Sequence, residues 1–422
     1  MNDVNIVLTV IGGLMLLQSL LHGLIYGKSL ISAPMVALGT GIALGPLGFG
    51  VLELETWGDP RLILEETARL TLGIGLMGVA LRLPRGYFSR QWRDMALLLG
   101  LLMPLMWLST TLFVWWLLPL GVVPAMLVGA VLTPTDPVVA SSIVVGPAAE
   151  RNLPARLRQV ISAESGANDG LAYPFVLLPI LLLTLPRGEV WTHWLLNTVL
   201  HEVVGAALVG VLIGWLAGHL LLRFLGERGV GHLSLLSYTL ALSLFLLGAA
   251  KLMGTDGVLA VFIGGLAYDW VIRDEGQKKQ EHIQEAIAQF FTLPAFALLG
   301  LALPVDAWVE MGWTAVWIAA GIPLLRRVPA LLVLAPALLR LPGGEYRFWR
   351  DILFSGWFGP VGIAAVFYAT LVTGRSDVQA AWTVGSLVVC ASIVGHGISA
   401  NPLIALYGKR GGREDVRAEQ DL

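Results

Sequence analysis

The sequence predicts an all-α polytopic membrane protein of about thirteen transmembrane helices. Three observations predict it: the composition, the recurrence of apolar runs of bilayer length, and the sidedness of the basic residues. Of the 422 residues, 56% are hydrophobic and 13% charged, where a soluble chain carries about a quarter charged. Apolar runs near 5–26, 31–52, 63–82, 95–119, 121–147, 158–184, 194–222, 233–252, 255–270, 286–304, 311–339, 351–373 and 380–406 are of the order of the roughly 20 residues that cross a bilayer as a helix. The first run is read as span 1 and not as a cleavable leader, because it opens on Asp3 with no basic region and its apolar stretch is long.

The basic residues test the count. The odd-numbered connections and the tail after residue 406 hold twenty, from Lys28 through Arg82, Arg151, Arg223, Arg273 and Arg340 to Arg417; the even-numbered ones hold Arg61, Arg187, Lys251 and Arg375. This asymmetry places the odd connections and the tail (407–422) in the cytoplasm and the N-terminus outside. Residues 1–406 form the transmembrane domain. The net charge of −2 says nothing about nucleic acid and no basic run suggests such a partner, while the single Cys390 excludes a disulfide framework or a cysteine-based metal site. Nothing in the chain asks for a cofactor.

The remaining three basic residues, Arg69, Arg326 and Arg327, fall inside spans, as do Glu65, Glu66, Asp136, Glu164 and Asp169. Ionisable groups at membrane depth cost a few kcal/mol or more and face a cavity or a partner. A plain anchor has no use for them.

Two spans are interrupted. In span 5, Pro134 and Pro137 flank Asp136, and each proline removes a backbone donor, so the helix breaks near Thr133–Asp136. Asp136 is placed to cap the freed amides, and Thr133 or Thr135 to offer oxygens to a cation. Span 12 weakens at Gly359-Pro360-Val361-Gly362. Spans 5 and 12 lie seven apart and so run in opposite directions. Paired broken helices of this kind point to a secondary transporter built from inverted repeats.

Span 6 adds the site. Ser162, Ser165 and Asp169 share one helical face, and Glu164 with Asn168 makes a neighbouring i, i+4 pair. A carboxylate, a hydroxyl and loose carbonyls make an all-oxygen environment suited to a small cation. Helix packing accounts for the serines and Asn168 but poorly for Asp169, since a neutral residue would do the same work at less cost.

The stretches TPTDPVVASSIV (133–144) and ESGANDGLAYPF (164–175) resemble the paired motifs of the monovalent cation–proton antiporter superfamily. The likeness is to its sodium/proton exchanger branch, nearest the fungal plasma-membrane sodium/proton antiporters and their bacterial relatives. GTDGVLAVFIGGLAY (254–268), FFTLPAFALLGLALP (290–304), LLRRVPALL (324–332) and GWFGPVGIAAVFYA (356–369) carry it along most of the chain.

The resemblance implies a dimeric antiporter of the plasma membrane, in a bacterium the inner membrane, with spans 5 and 12 as crossed broken helices. It implies that Asp169 binds sodium or a proton, with Ser165 as a side-chain ligand and Thr135 offering backbone oxygen. Asn168 marks the electroneutral branch, and Asp136 offsets the half-helix dipoles. Glu164 would form a structural ion pair with span 11, through Arg327 first and Arg326 second. Glu65 and Glu66 are further candidates for contact with the ion, although Glu65 and Arg69 are spaced to neutralise each other. Where many relatives carry an Arg inside the Gly-Pro-X-Gly stretch, this chain has Val361, which fits the fungal-type subfamily.

An intramembrane aspartyl protease is the alternative from another class. Tyr268-Asp269 supplies half of its signature, but Gly166-Ala167-Asn168-Asp169 has Asn where the second glycine is needed. The expected activity is exchange of Na+, or Li+ or K+, for H+ by alternating access, one for one, because Asn168 cannot titrate. The chain is expected to be no enzyme, and its partners are cations, protons, the bilayer and a second copy of itself.

Overall fold

The computed structural model describes residues 31–225, 232–272 and 277–420, with a few isolated positions before residue 31. Most of span 1, and the loop residues Lys28, Arg228 and Arg273, lie outside the described residues. Among those described, every regular element is helical. Five helices are long and apolar enough to cross a membrane: Trp92–Leu117, Ala155–Thr184, Arg187–Phe224, Trp313–Leu338 and Ala380–Glu419. Shorter apolar helices, among them Val122–Val131 and Ile363–Arg375, lie between them.

The elements that build the site are few. Helix α1 is Ala33–Leu44 and α2 is Pro60–Arg82, the latter capped by Asp59, whose carboxylate accepts from the Arg61 amide at 2.9 Å. Next come α3 (Trp92–Leu117), α4 (Val122–Val131), α5 (Pro137–Val144), α6 (Ala155–Leu171) and α7 (Tyr173–Thr184). Then follow α8 (Arg187–Phe224), α9 (His232–Leu252), α10 (Gly257–Val271) and α11 (Gln277–Leu301). The chain closes with α12 (Trp313–Leu325), α13 (Val328–Leu338), α14 (Trp349–Trp357), α15 (Ile363–Arg375), α16 (Ala380–Tyr407) and α17 (Arg413–Gln420).

Glycine lets these helices approach closely. A Cβ on Gly214 would stand 2.1 Å from the carbonyl oxygen of Gly264, where α8 meets α10, and one on Gly41 2.0 Å from that of Ala297, where α1 meets α11. In lipid, where apolar surface gains nothing by hiding from its neighbours, such backbone contact is what holds helices together. The outward faces are apolar: Trp116, Leu212, Trp270 and Val333 are all more than 60% exposed. Polar residues are drawn inward, which suits a lipid surround.

Span 11, Trp313–Leu338, is kinked at its middle with the backbone still in the αR region. Residues 326 and 327 form a turn between α12 and α13. Pro323 and Pro329 bracket the turn, each removing an amide donor, and both guanidiniums enter the core, 2% and 1% exposed.

At the arginine-rich end, Arg156 in the first turn of α6 ties three elements together. Its guanidinium contacts Asp351 of α14 at 2.6 Å and, from α17, Asp415 at 3.3 Å and Glu419 at 3.5 Å. Asp351 is fully buried and also accepts from the Arg347 and Phe348 amides and from the Tyr407 hydroxyl. The segment after residue 407 therefore turns at Gly411, whose φ of +99° suits only glycine, and packs back on the bundle. Arg156→Ala leaves a buried carboxylate without its cation, a loss on the scale of about 3–5 kcal/mol. A lower melting temperature and faster proteolysis near Gly411 are expected; unchanged values for both would show that the tie holds nothing.

Candidate functional site

The two interruptions predicted from prolines meet in the core. Helix α4 stops at Val131 and α5 starts at Pro137, while α14 stops at Trp357 and α15 starts at Ile363. The extended segments are bonded to each other: the Asp136 amide donates to the Pro360 carbonyl at 2.8 Å. Each interruption leaves amides at one helix start and carbonyls at one helix end.

Asp136 serves both starts. Its Oδ1 accepts from the Val139 amide at 3.0 Å and its Oδ2 from the Ile363 amide. Arg326 serves both ends. It donates to the carbonyls of Thr133 and Pro134 at 3.1 and 3.0 Å, to that of Leu132, and to that of Gly359 in the second interruption. Two fully buried charges of opposite sign therefore answer the two helix dipoles at each pole. The sequence reading held Arg326 only as a substitute partner for Glu164 and missed this role. The double Arg before a proline was the available signal, since two buried guanidiniums need two sets of acceptors.

The ion pair forms with Arg327. Its two terminal nitrogens reach the two oxygens of Glu164, both at 2.6 Å, and its Nε donates to the Ser355 carbonyl at 2.8 Å. Gly359 makes room for it, since a Cβ there would lie 2.3 Å from the Arg327 Cδ. Gly362 does the same for Asp136, at 2.0 Å from Oδ2.

Asn168 joins α6 to the first interruption. It accepts from the Thr135 amide at 3.0 Å and donates to the Thr135 hydroxyl at 2.8 Å and to Glu164 at 3.3 Å. The Thr135 and Ser165 hydroxyls are 2.9 Å apart. Thr133 turns back to the Gly129 carbonyl at 2.8 Å, and Ser162 is buried on the same helix. Asp169 stands apart from all of this. It is 0% exposed, and among the described residues neither carboxylate oxygen has a hydrogen-bond partner; its backbone carbonyl accepts from the Tyr368 hydroxyl.

His396 is packed in the core, 3% exposed. With the proton on Nε2 it donates to the Trp357 carbonyl at 2.8 Å, while Nδ1 takes the Ser392 hydroxyl proton at 3.1 Å. Ser392 in turn accepts from the Val361 amide at 2.8 Å. His396 and Ser392 thus stitch across the second interruption.

One pairing differs from the sequence reading. Glu65 pairs with Arg61 at 3.1 Å, and Arg69 pairs with Glu66 at 2.6 Å, so the expected Glu65–Arg69 pair does not form. Arg61 stands one turn earlier on the face of Glu65, and Glu66 rotates toward Arg69. Asp269 is 8% exposed and offset by Arg85 at 3.9 Å. It also lies ten residues along α10 from Leu259, the residue packed on Gly170, which is about 15 Å of helix. Asp169 and Asp269 do not make the facing pair that an aspartyl protease needs. Among the described residues, no group of three His, Cys, Asp or Glu side chains is arranged to hold a metal ion.

A family model described as the transmembrane sodium/hydrogen exchanger matches residues 14–406. The chain is 33% identical over 361 residues to Na+/H+ antiporter 2 of Zygosaccharomyces rouxii, covering 83% of this chain and 43% of the relative. It is 30% identical over 437 residues to a protein of Schizosaccharomyces pombe named a probable Na+/H+ antiporter, covering 95% and 56%. The chain thus spans about half the length of these curated relatives. Its fold resembles that of the sodium proton antiporter MjNhaP1 from Methanocaldococcus jannaschii, with a TM-score of 0.70 at 17% identity over 96% of this chain and all of that one. With the matched region taking in both interruptions and all of α6, the chain belongs to the transmembrane sodium/hydrogen exchanger family.

Proposed function

We propose that this protein is a secondary transporter that exchanges a monovalent cation for a proton by alternating access, with Asp169 as the group that holds either. Sodium is the cation favoured by the family; lithium and potassium satisfy the same oxygen chemistry. The observation that carries the reading is the state of the Asp169 carboxylate, fully buried with neither oxygen hydrogen-bonded among the described residues. A charge in that position is tolerable only with a cation beside it or a proton on it. Every other carboxylate at that depth in the same cluster is already committed, Glu164 to Arg327 and Asp136 to the helix amides.

The remaining oxygens follow. Ser165 stands one turn from Asp169 on α6, and its hydroxyl meets that of Thr135, so both can turn a lone pair toward a cation at Asp169. Thr135 would add backbone oxygen from the interruption. Asn168 and Asp136 hold the interruption in place, and Glu164 with Arg327 braces α6 against span 11. In this reading the chain has about thirteen spans in inverted repeats, α4/α5 and α14/α15 are the crossing broken helices, and two copies form a dimer in the plasma membrane. The N-terminus faces outside, and residues 407–422 form a short cytoplasmic tail. Glu65 and Glu66, each with an arginine of its own, shape the outer end of α2.

One titrating carboxylate means one sodium for one proton and no net charge moved. In proteoliposomes, sodium should drive proton movement in the wild type, and imposing a potassium–valinomycin potential should leave the end point unchanged. A moved charge would feel about 2.3 kcal/mol per 100 mV. Asp169→Asn should abolish exchange while the protein still inserts and folds. Substantial exchange in that variant, or potential-driven sodium accumulation in the wild type, overturns the single-carboxylate reading.

The brace has its own test. Glu164→Ala should strand Arg327 in the core and cost roughly 3–5 kcal/mol, read as a fall in melting temperature and yield. If Glu164→Ala melts like the wild type but binds sodium poorly, Glu164 is a ligand and not a brace.

A further inference from the structure

Beside the end of α6 that carries Asp169, α8 and α10 hold two further buried carboxylate oxygens without a hydrogen-bond partner among the described residues. Helix α6 ends at Leu171 and α10 begins beside it, so close that a Cβ on Gly170 would lie 2.7 Å from the Leu259 Cβ. One turn before Leu259, Asp256 caps α10: its Oδ1 accepts from the Val258 amide at 2.9 Å. Asp256 is 6% exposed and its Oδ2 has no partner. The Asp256 amide donates to the Glu202 carbonyl of α8 at 3.0 Å, and the Oε2 of Glu202 is likewise buried and unpartnered. That backbone bond brings the two carboxylates within electrostatic reach of each other, with Tyr173 beside Glu202. Tyr368, which touches Asp169 through its backbone carbonyl, lies within electrostatic reach of both Asp169 and Asp256. Glu202 and Asp256 lie within apolar runs, yet the sequence reading, drawn to the TPTDP and ESGAND stretches, gave neither a role.

We propose that Asp256 and Glu202 form a second cation site, a waiting position through which a monovalent alkali cation passes between Asp169 and the face nearer Asp256. A buried carboxylate that spends only one of its oxygens on a helix cap leaves the other aimed at an absent positive charge. Two carboxylates without cations would favour a divalent ion, but Lys251 stands within electrostatic reach of Asp256, and Arg375, His201 and His193 within reach of Glu202. They lower the pair's pull to what a singly charged ion can escape, as a transit site requires. The inference rests on Asp169 being the transported cation's own site.

The test uses vesicles of fixed orientation, with sodium half-saturation measured from each face. Asp256→Asn keeps the cap acceptor and removes the charge; Glu202→Gln touches no cap and serves as the independent variant. Each should raise half-saturation by at least about threefold from the Asp256 face, leave the other face unchanged and keep the wild-type melting temperature. No change from either face, or an equal change from both, overturns the proposal. Radioactive sodium binding to purified Asp169→Asn protein gives a second readout. Weak binding should survive in that variant and vanish when Glu202→Gln is added, and its absence in Asp169→Asn also overturns the proposal. If the wild type itself binds no sodium, the reading of Asp169 has failed instead.

Discussion

Two charges, Asp136 and Arg326, hold together what two interrupted helices would otherwise leave open. Each interruption exposes backbone amides and carbonyls where no water reaches, and each unsatisfied group there costs several kcal/mol. One carboxylate answers the amides of both helix starts, and one guanidinium answers the carbonyls of both helix ends. The same geometry demands glycine at 359 and 362, because a Cβ at either would collide with Arg327 or Asp136. A polar crossing in the middle of an apolar bundle is stable because its donors and acceptors are matched across elements and not within them.

With those groups matched, Asp169 is conspicuous for a carboxylate without a hydrogen-bond partner among the described residues. Glu164 has Arg327, Asn168 has Thr135, and His396 sits between Ser392 and Trp357. The network fixes the frame on every side and leaves one carboxylate whose charge state is free to follow the ion at hand. In the proposed cycle this division matters: a rigid surround discriminates by position, and a single uncommitted charge sets the one-for-one exchange. Glu202 and Asp256 repeat the arrangement at smaller scale: Asp256 caps α10 with one oxygen, and each residue keeps one buried oxygen without a partner among the described residues.

Much of the site was legible because prolines and charges in an oily chain have few structural excuses. Pro134, Pro137 and Pro360 announced the interruptions, and the i, i+4 spacing on α6 placed Ser165 and Asp169 together. What stayed hidden was pairing between distant elements. Glu65 had arginines at both i−4 and i+4, and only packing at the end of α2 decides for Arg61. Arg326 and Arg327 are adjacent and look interchangeable, but the turn at that point sends one to the helix ends and the other to Glu164. The tail's fold onto Arg156 was likewise invisible, because its charges suit a solvated segment equally well.

The central claim is that one carboxylate exchanges its proton for a cation. Calorimetric titration of the purified protein with sodium, repeated in buffers of different ionisation enthalpy near the working pH, counts the protons released per cation bound. The account predicts release approaching one proton per sodium as the pH is lowered, with apparent affinity weakening in step, and neither effect in Asp169→Asn. Sodium binding of undiminished affinity with no proton released across that range would contradict it.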